Sequence, residues 1–244
     1  MNLSTGIFWT LIVLLALAVL VFFIIRNASQ HRKGVAALAE ELGFTYERTS
    51  PELLEQFKDF RLFAPDRYRS YQVAWNVLKG TTGSATVWLF DYYYKSRGDS
   101  WSHNFTICVL RSPDLKLPYF RLRHRFLTEM VNLSPAKREV LPESHPTATG
   151  FGESEIDFPE DENFTKSFVL RGKEEVVRPL FDVDLRQHLR PFGDIWHTPA
   201  REIEGNRDTL MLIRSAPIEA KDARELIQAT TNLFTRFAQR SESW

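Results

Sequence analysis

Three residues in this chain have the types a thiol hydrolase uses, Cys108, His103 and Asp91, and they stand close together in sequence. A cysteine nucleophile needs a base within hydrogen-bond reach. His103 and Cys108 are an odd number of positions apart in one strand-like run, Trp101 to Arg111 (WSHNFTICVLR), so their side chains point to opposite faces and the constellation fails on geometry. Cys108 reads instead as a small core residue, and as the single cysteine it excludes an intramolecular disulfide. No two of His31, His103, His124, His145, His188 and His197 are spaced three or four apart to share a helix face around a metal. Gly80-Thr81-Thr82-Gly83 lacks the lysine and the spacing of a phosphate loop and reads as a hairpin turn. No catalytic residue, metal or cofactor is assigned.

Asp91 remains, an aspartate in the middle of the apolar run Ser84 to Lys95 (SATVWLFDYYYK). A buried carboxylate must be hydrogen-bonded or its burial costs several kcal/mol, so a partner is required. Pairing this run with Trp101 to Arg111 about the turn-forming residues 96–100 gives a hairpin. That register sets Asp91 opposite Thr106 and places Thr86, Trp88, Phe90, Tyr92 and Tyr94 on one face with Arg111, Val109, Ile107, Phe105 and His103. Arg67 and Arg69 are further possible partners. Asp91, Tyr92, Tyr94 and Thr106 are therefore the candidate ligand-binding residues. The alternative role for them is structural: a satisfied buried acid beside an aromatic core face.

What holds these groups is governed by Gly6 to Ile25 (GIFWTLIVLLALAVLVFFII), which carries no charge and only Thr10 as a clearly polar side chain. At about 1.5 Å per residue such a helix covers about 30 Å, the hydrocarbon thickness of a bilayer. A transmembrane helix over 6–25 is expected, with the lipid bilayer as its partner. Met1 to Trp9 contain no Lys or Arg, whereas residues 26–34 contain Arg26, Arg32 and Lys33. Cations next to a span stay cytoplasmic and attract anionic lipid. The expected arrangement is a single-pass protein of the inner (plasma) membrane, with residues 1–5 outside, a basic juxtamembrane segment over 26–34 and a cytoplasmic domain over 35–240. A cleaved signal peptide fits poorly, because the apolar run ends in Phe22-Phe23-Ile24-Ile25 rather than in small residues. The sequons at Asn104 and Asn163 carry no meaning in the cytoplasm.

With Arg26, Arg32 and Lys33 set apart from the 31 basic and 31 acidic residues, the remainder is net −3. No basic stripe for nucleic acid is present, so no nucleic-acid partner is expected. Val35, Leu38 and Leu42 lie on one face of a helix ending at Gly43, and Ser50-Pro51 opens a short second helix. Phe60 to Phe63 and Arg67 to Val77 read as extended. Asn132 to Glu162, with Pro135, Pro142, Pro146 and Pro159, reads as a polar linker between two halves. Beyond it come structure over Phe164 to Leu170 and a helical stretch, Lys173 to Leu189, that Pro179 should split. A second hairpin is expected from Asp194 to Glu204 and Thr209 to Ser215, turning at Gly205-Asn206. A last helix opens at Pro217 and carries the stripe Ala223, Leu226, Ile227, Thr230, Leu233, Phe234 and Phe237. Residues 241–244 read as a disordered tail. The fold class is α+β: an N-terminal transmembrane helix, then a mostly antiparallel sheet of about six to eight strands with helices packed on it.

Several short motifs combine with this layout: Leu42-Gly43-Phe44, Phe90-Asp91-Tyr92-Tyr93-Tyr94 with Thr106, Ile156-Asp157-Phe158 with Phe164, Val169-Leu170-Arg171-Gly172, Arg178 with Phe181, and Glu204-Gly205. Over Leu38 to Phe237 the chain resembles a family of uncharacterised bacterial membrane-anchored proteins. The resemblance implies an inner-membrane protein with a cytosolic domain, no assigned reaction and no catalytic residues to carry over. The leading reading is a noncatalytic interaction or regulatory module that meets a protein partner at the membrane. The alternative is a ligand- or lipid-binding domain lined by the aromatic hairpin, and a further one is an enzyme of unrecognised type that uses Asp91 or the histidines of the second half.

Overall fold

The computed structural model describes residues 3–63, 69–96, 102–126, 154–193, 200–215 and 220–241. The hairpin that carries Asp91 forms from β3 (Ala85–Ser96) and β4 (Ser102–Arg111) in the register the alternation predicts, with Asp91 opposite Thr106 and Tyr94 opposite His103. β1 (Thr45–Thr49) and β2 (Arg69–Thr82) extend the sheet on one side. On the other side lie β5 (Leu117–His124), β6 (Ser154–Glu155), β7 (Phe168–Gly172), β8 (Glu202–Arg207) and β9 (Thr209–Arg214). Among the described residues all pairings are antiparallel, and the order is β1-β2-β3-β4-β9-β8-β5-β7-β6, a nine-stranded sheet where the sequence predicts about six to eight strands. Because β4 pairs with β9, the two halves share one sheet. Of the stretch read as a linker, 132–153 lies outside the described residues, while 154–162 holds β6 and Asp161, whose side chain accepts from the Phe164 N–H and caps the next helix.

Helices cover the sheet unequally. α1 (Leu3–Leu42), α3 (Glu162–Ser167), α4 (Glu174–Leu180), α5 (Val183–Leu189) and α6 (Ala220–Ser241) pack over the face of Val87, Leu89, Cys108, Leu110, Ile203 and Leu212. The opposite face, carrying Trp88, Phe90, Tyr92, Tyr94, Ile107, Val109 and Met211, is closed by α2 (Pro51–Gln56) and the turns after it. Pro179 lies inside α4, and the chain breaks two residues later at Phe181-Asp182 before α5 begins. On α6, Ala223, Leu226, Leu233 and Phe237 are buried as the stripe requires.

Three readings are corrected by packing. Phe60 to Phe63 is not extended: the N–H groups of Phe60 and Phe63 bond the carbonyls of Phe57 and Phe60 (2.9 and 3.0 Å), and the tight turns aim all three rings inward. Gly80 and Gly205 are not turn residues but strand positions, and a side chain on either would overlap a ring, Phe44 at Gly80 and Phe120 at Gly205. The actual turns fall at Gly83-Ser84 and at Asp208. In both strands the glycine makes room for an aromatic ring.

α1 is one helix of 40 residues, without a break between the apolar stretch and the domain. Its C-terminal part buries Val35, Leu38 and Ala39 in the core. Further toward the N-terminus Leu14, Leu15, Leu17, Val19, Leu20 and Phe22 are all exposed, and at 3.6 residues per turn these positions fall on every side of the helix. Among the described residues no helix is long and apolar enough to cross a membrane, and most side chains between 6 and 25 lie outside that set. Residues 1–2 and 242–244, part of the expected external N-terminus and of the expected tail, also lie outside the described residues.

Candidate functional site

Asp91 sits at the centre of a buried polar cluster. One carboxylate oxygen, Oδ1, accepts from the Thr106 hydroxyl at 2.9 Å, and Oδ2 accepts from the Asn76 amide at 2.9 Å and lies 3.3 Å from His31 Nε2. Asn76 in turn accepts from the Tyr46 hydroxyl at 3.0 Å. The register of β2 against β3 shifts between Trp75 and Leu78, and Asn76 takes φ 50° there, a left-handed conformation that asparagine tolerates better than most residues. This bulge turns the amide toward the carboxylate. Asp91, Asn76 and Thr106 are all nearly inaccessible, so the hydrogen bonds replace lost water.

The predicted contact to Thr106 is present. Arg67 lies outside the described residues, as does the Arg69 side chain. The residues that sequence reasoning missed are Asn76 and His31, the second arriving from α1, 60 positions away. The available signal for both was polarity in the wrong place: an asparagine within a strand, and a histidine on the helix face that leads to Val35 and Leu38. Chemically the cluster ties α1 to the sheet. Both oxygens of Asp91 are engaged, and no cavity among those described is lined by it.

Tyr92 and Tyr94 belong to a filled core. The Tyr92 hydroxyl is within bonding distance of the Leu62 carbonyl (3.2 Å) and of Gln72 Oε1 (3.1 Å), and its ring meets Phe63 edge-on at 5.1 Å. Tyr94 stacks on His103 at 4.7 Å. The aromatic face of the hairpin is therefore packed against the turn segment 57–63 rather than lining an open cavity, because Phe57, Phe60 and Phe63 occupy that space. Of the juxtamembrane cations, Arg26 and Lys33 are exposed and Arg32 is half-buried.

A cavity lies elsewhere, at the sheet end where β4 stops and β8 turns into β9. It is an open groove of about 730 Å³, within the range of small-molecule sites, with Phe60, Leu117 and Val176 among its apolar walls and Arg111, Lys116 and Asp208 at its rim. Among the described residues no group of three or more His, Cys, Asp or Glu is placed to hold a metal.

A second polar cluster, on the sheet face opposite to that of Asp91, was not foreseen. Glu204 on β8 is fully buried beside Arg121 of β5, its register partner. Its Oε1 accepts from the Arg61 N–H at 3.3 Å, and the Tyr119 hydroxyl also acts on the carboxylate. Neighbouring Glu202 takes the guanidinium of Arg123 at 2.8 Å and lies 3.7 Å from that of Arg121. Burial, and next the negative charge of Glu202, push the Glu204 carboxyl up from 4.5 to about 8. Between these values the unfolded chain has released a proton that the folded chain keeps. Stability therefore falls as pH rises from about 4.5 to about 8. Glu204→Gln is expected to raise the unfolding free energy by roughly 4 kcal/mol at pH 8 and by less than about 1 kcal/mol at pH 5. Urea titrations at the two pH values check this, and an equal effect at both would show that Glu204 does not titrate as its burial requires.

With this geometry in place, comparison with solved structures finds a likeness in fold. The crystal structure of the mycobacterial trehalose monomycolate transport factor A, TtfA, superposes with a TM-score of 0.53 at 14% sequence identity, covering 85% of this chain and 92% of that one. No family model matches the chain, and no curated protein does. At this identity the likeness establishes a shared fold, α+β with a large antiparallel sheet and helices packed on it.

Proposed function

We propose that this chain is a membrane-anchored, noncatalytic module that binds lipid, with α1 spanning the inner (plasma) membrane and the sheet domain on its cytoplasmic side. The observation that carries the reading is α1 itself. A helix that exposes leucines in every direction has nothing of its own domain to bury them against, and a bilayer supplies that environment. Arg26, Arg32 and Lys33 at the domain end of the apolar stretch favour the cytoplasmic side for the domain. The fold is shared with a protein described as a transport factor for trehalose monomycolate, a lipid, and this favours a lipid over a soluble metabolite as cargo.

A second reading, a docking module for a protein partner at the membrane, draws on the groove with its mixed rim of Arg111, Lys116 and Asp208. The two separate in one experiment on full-length protein in cells fed a photoactivatable fatty acid that enters the lipid pool. The lipid reading expects crosslinked lipid on the chain well above that on an unrelated single-span protein of equal abundance. Labelling at the level of that control would overturn it and leave the partner reading.

A further inference from the structure

The direction in which α1 crosses the sheet fixes which edge of the domain faces the bilayer. At His31 the helix meets Asp91. Toward its C-terminus it leads through Gly43 to Phe44, whose ring lies against Gly80, the register partner of Val87. Passing from His31 to Phe44 thus moves along β3 from Asp91 back toward Val87. Moving from His31 toward the apolar stretch must lead the other way, past Tyr93 to the ends of β2 and β3.

The distances are commensurate. Ile25 precedes His31 by six residues, about 9 Å of helix at about 1.5 Å per residue. Tyr93 follows Asp91 by two residues, about 7 Å of strand at about 3.3 Å per residue. Tyr93 therefore stands level with the last turn of the apolar stretch. Tyr71, paired in register with Lys95, lies one step further out on the same face. Its side chain is 56% exposed, the highest among the large apolar or aromatic residues on the described strands, and its ring meets that of Tyr93 edge-on at 5.9 Å. Tyrosine, with an apolar ring and a polar tip, is the residue type that settles at the boundary between acyl chains and headgroups.

We propose that the ends of β2 and β3 rest on the membrane, with Tyr71 and Tyr93 forming an aromatic contact at headgroup depth and membrane lipid as the partner. This rests on the reading of α1 as the anchor. It gives the domain a fixed pose: His31 and Asp91 set the helix against the sheet, the tyrosine pair touches lipid, and the groove near Arg111 and Lys116 opens at the opposite end, away from the bilayer. A lipid drawn from the membrane would meet the tyrosine edge first.

The lone native cysteine makes a direct test possible. Cys108 is completely buried, and burial pushes its thiol up to about 12, so it does not compete for a thiol-reactive dye. Full-length Tyr71→Cys and Lys116→Cys proteins, each labelled with one fluorophore, are reconstituted into phosphatidylcholine–phosphatidylglycerol vesicles containing a lipid spin-labelled on its headgroup. The dye at position 71 is expected to be quenched severalfold more than the dye at position 116. Equal quenching in protein that floats with the vesicles and resists alkaline extraction overturns the proposed pose alone. Protein that alkali strips from the vesicles overturns the anchor reading, and the pose with it.

Discussion

Asp91→Ala is expected to lower the unfolding free energy of the full chain by about 3 kcal/mol, since hydrogen bonds to a charged group contribute about 1.5–3 kcal/mol each and the buried groups left behind lose their acceptor. The Thr106 hydroxyl and the Asn76 amide, each 2.9 Å from the carboxylate, would then face a methyl group. Loss of the buried charge offsets part of this cost, which is why the sum of the individual bonds is not expected. Asp91→Asn keeps the shape but sets an amide against the Asn76 amide, so a smaller loss of about 1–2 kcal/mol follows. Urea unfolding of detergent-solubilised protein, followed by near-ultraviolet circular dichroism, gives both values. A double-mutant cycle with His31→Ala isolates the tie between α1 and the sheet, for which a coupling of at least about 0.5 kcal/mol is expected. An Asp91→Ala protein as stable as the parent would remove the structural role assigned to the cluster.

Gly205→Ala is the second large effect. The added methyl would overlap the Phe120 ring, which is wholly buried and held by Phe181 at 5.0 Å and Phe237 at 5.2 Å. With the ring buried between those two neighbours, overpacking of this kind costs about 1–3 kcal/mol, here toward the upper end. Gly80→Ala creates the same clash with Phe44, but Phe44 is only partly buried at the sheet margin and its ring can swing outward. The alanine at 205 should therefore lower the unfolding midpoint markedly more than the alanine at 80. In the Gly205→Ala background, Phe120→Leu should cost less than it does in the parent, because the smaller side chain relieves the overlap. Equal costs in the two backgrounds would show that the ring is not what excludes a side chain from position 205.

These two residues mark where sequence reading succeeded and where it failed. Asp91 was legible because an acid inside an alternating apolar strand has few ways to be satisfied, and strand period and turn length already placed Thr106 opposite it. Gly205 was misread because a glycine followed by asparagine between two apolar runs has the composition of a hairpin turn. The reason for that glycine is a ring from β5, more than eighty positions earlier, which no local pattern reports. The aromatic face of Trp88, Phe90, Tyr92 and Tyr94 was correctly drawn as one face. Whether it enclosed a cavity depended on what lay above it, and Phe57, Phe60 and Phe63 fill it from a segment whose turns carried no clear signature.

The sequence by itself determined the properties that short-range repetition encodes. The uninterrupted apolar run of α1, the period-two faces of β3 and β4 with their register, the break after Pro179 and the buried stripe of α6 all follow from spacing along the chain, because helix and strand periods are local. Only the tertiary structure decided that His31 and Asn76 meet Asp91, that Glu204 lies buried beside Arg121 with its carboxyl pushed up to about 8, that β4 and β9 join the two halves into one sheet, and that Tyr71 and Tyr93 lie on the side toward which the apolar stretch runs. Each of these depends on which distant element lands on a given face, and burial and electrostatic environment are properties of that meeting rather than of either segment alone.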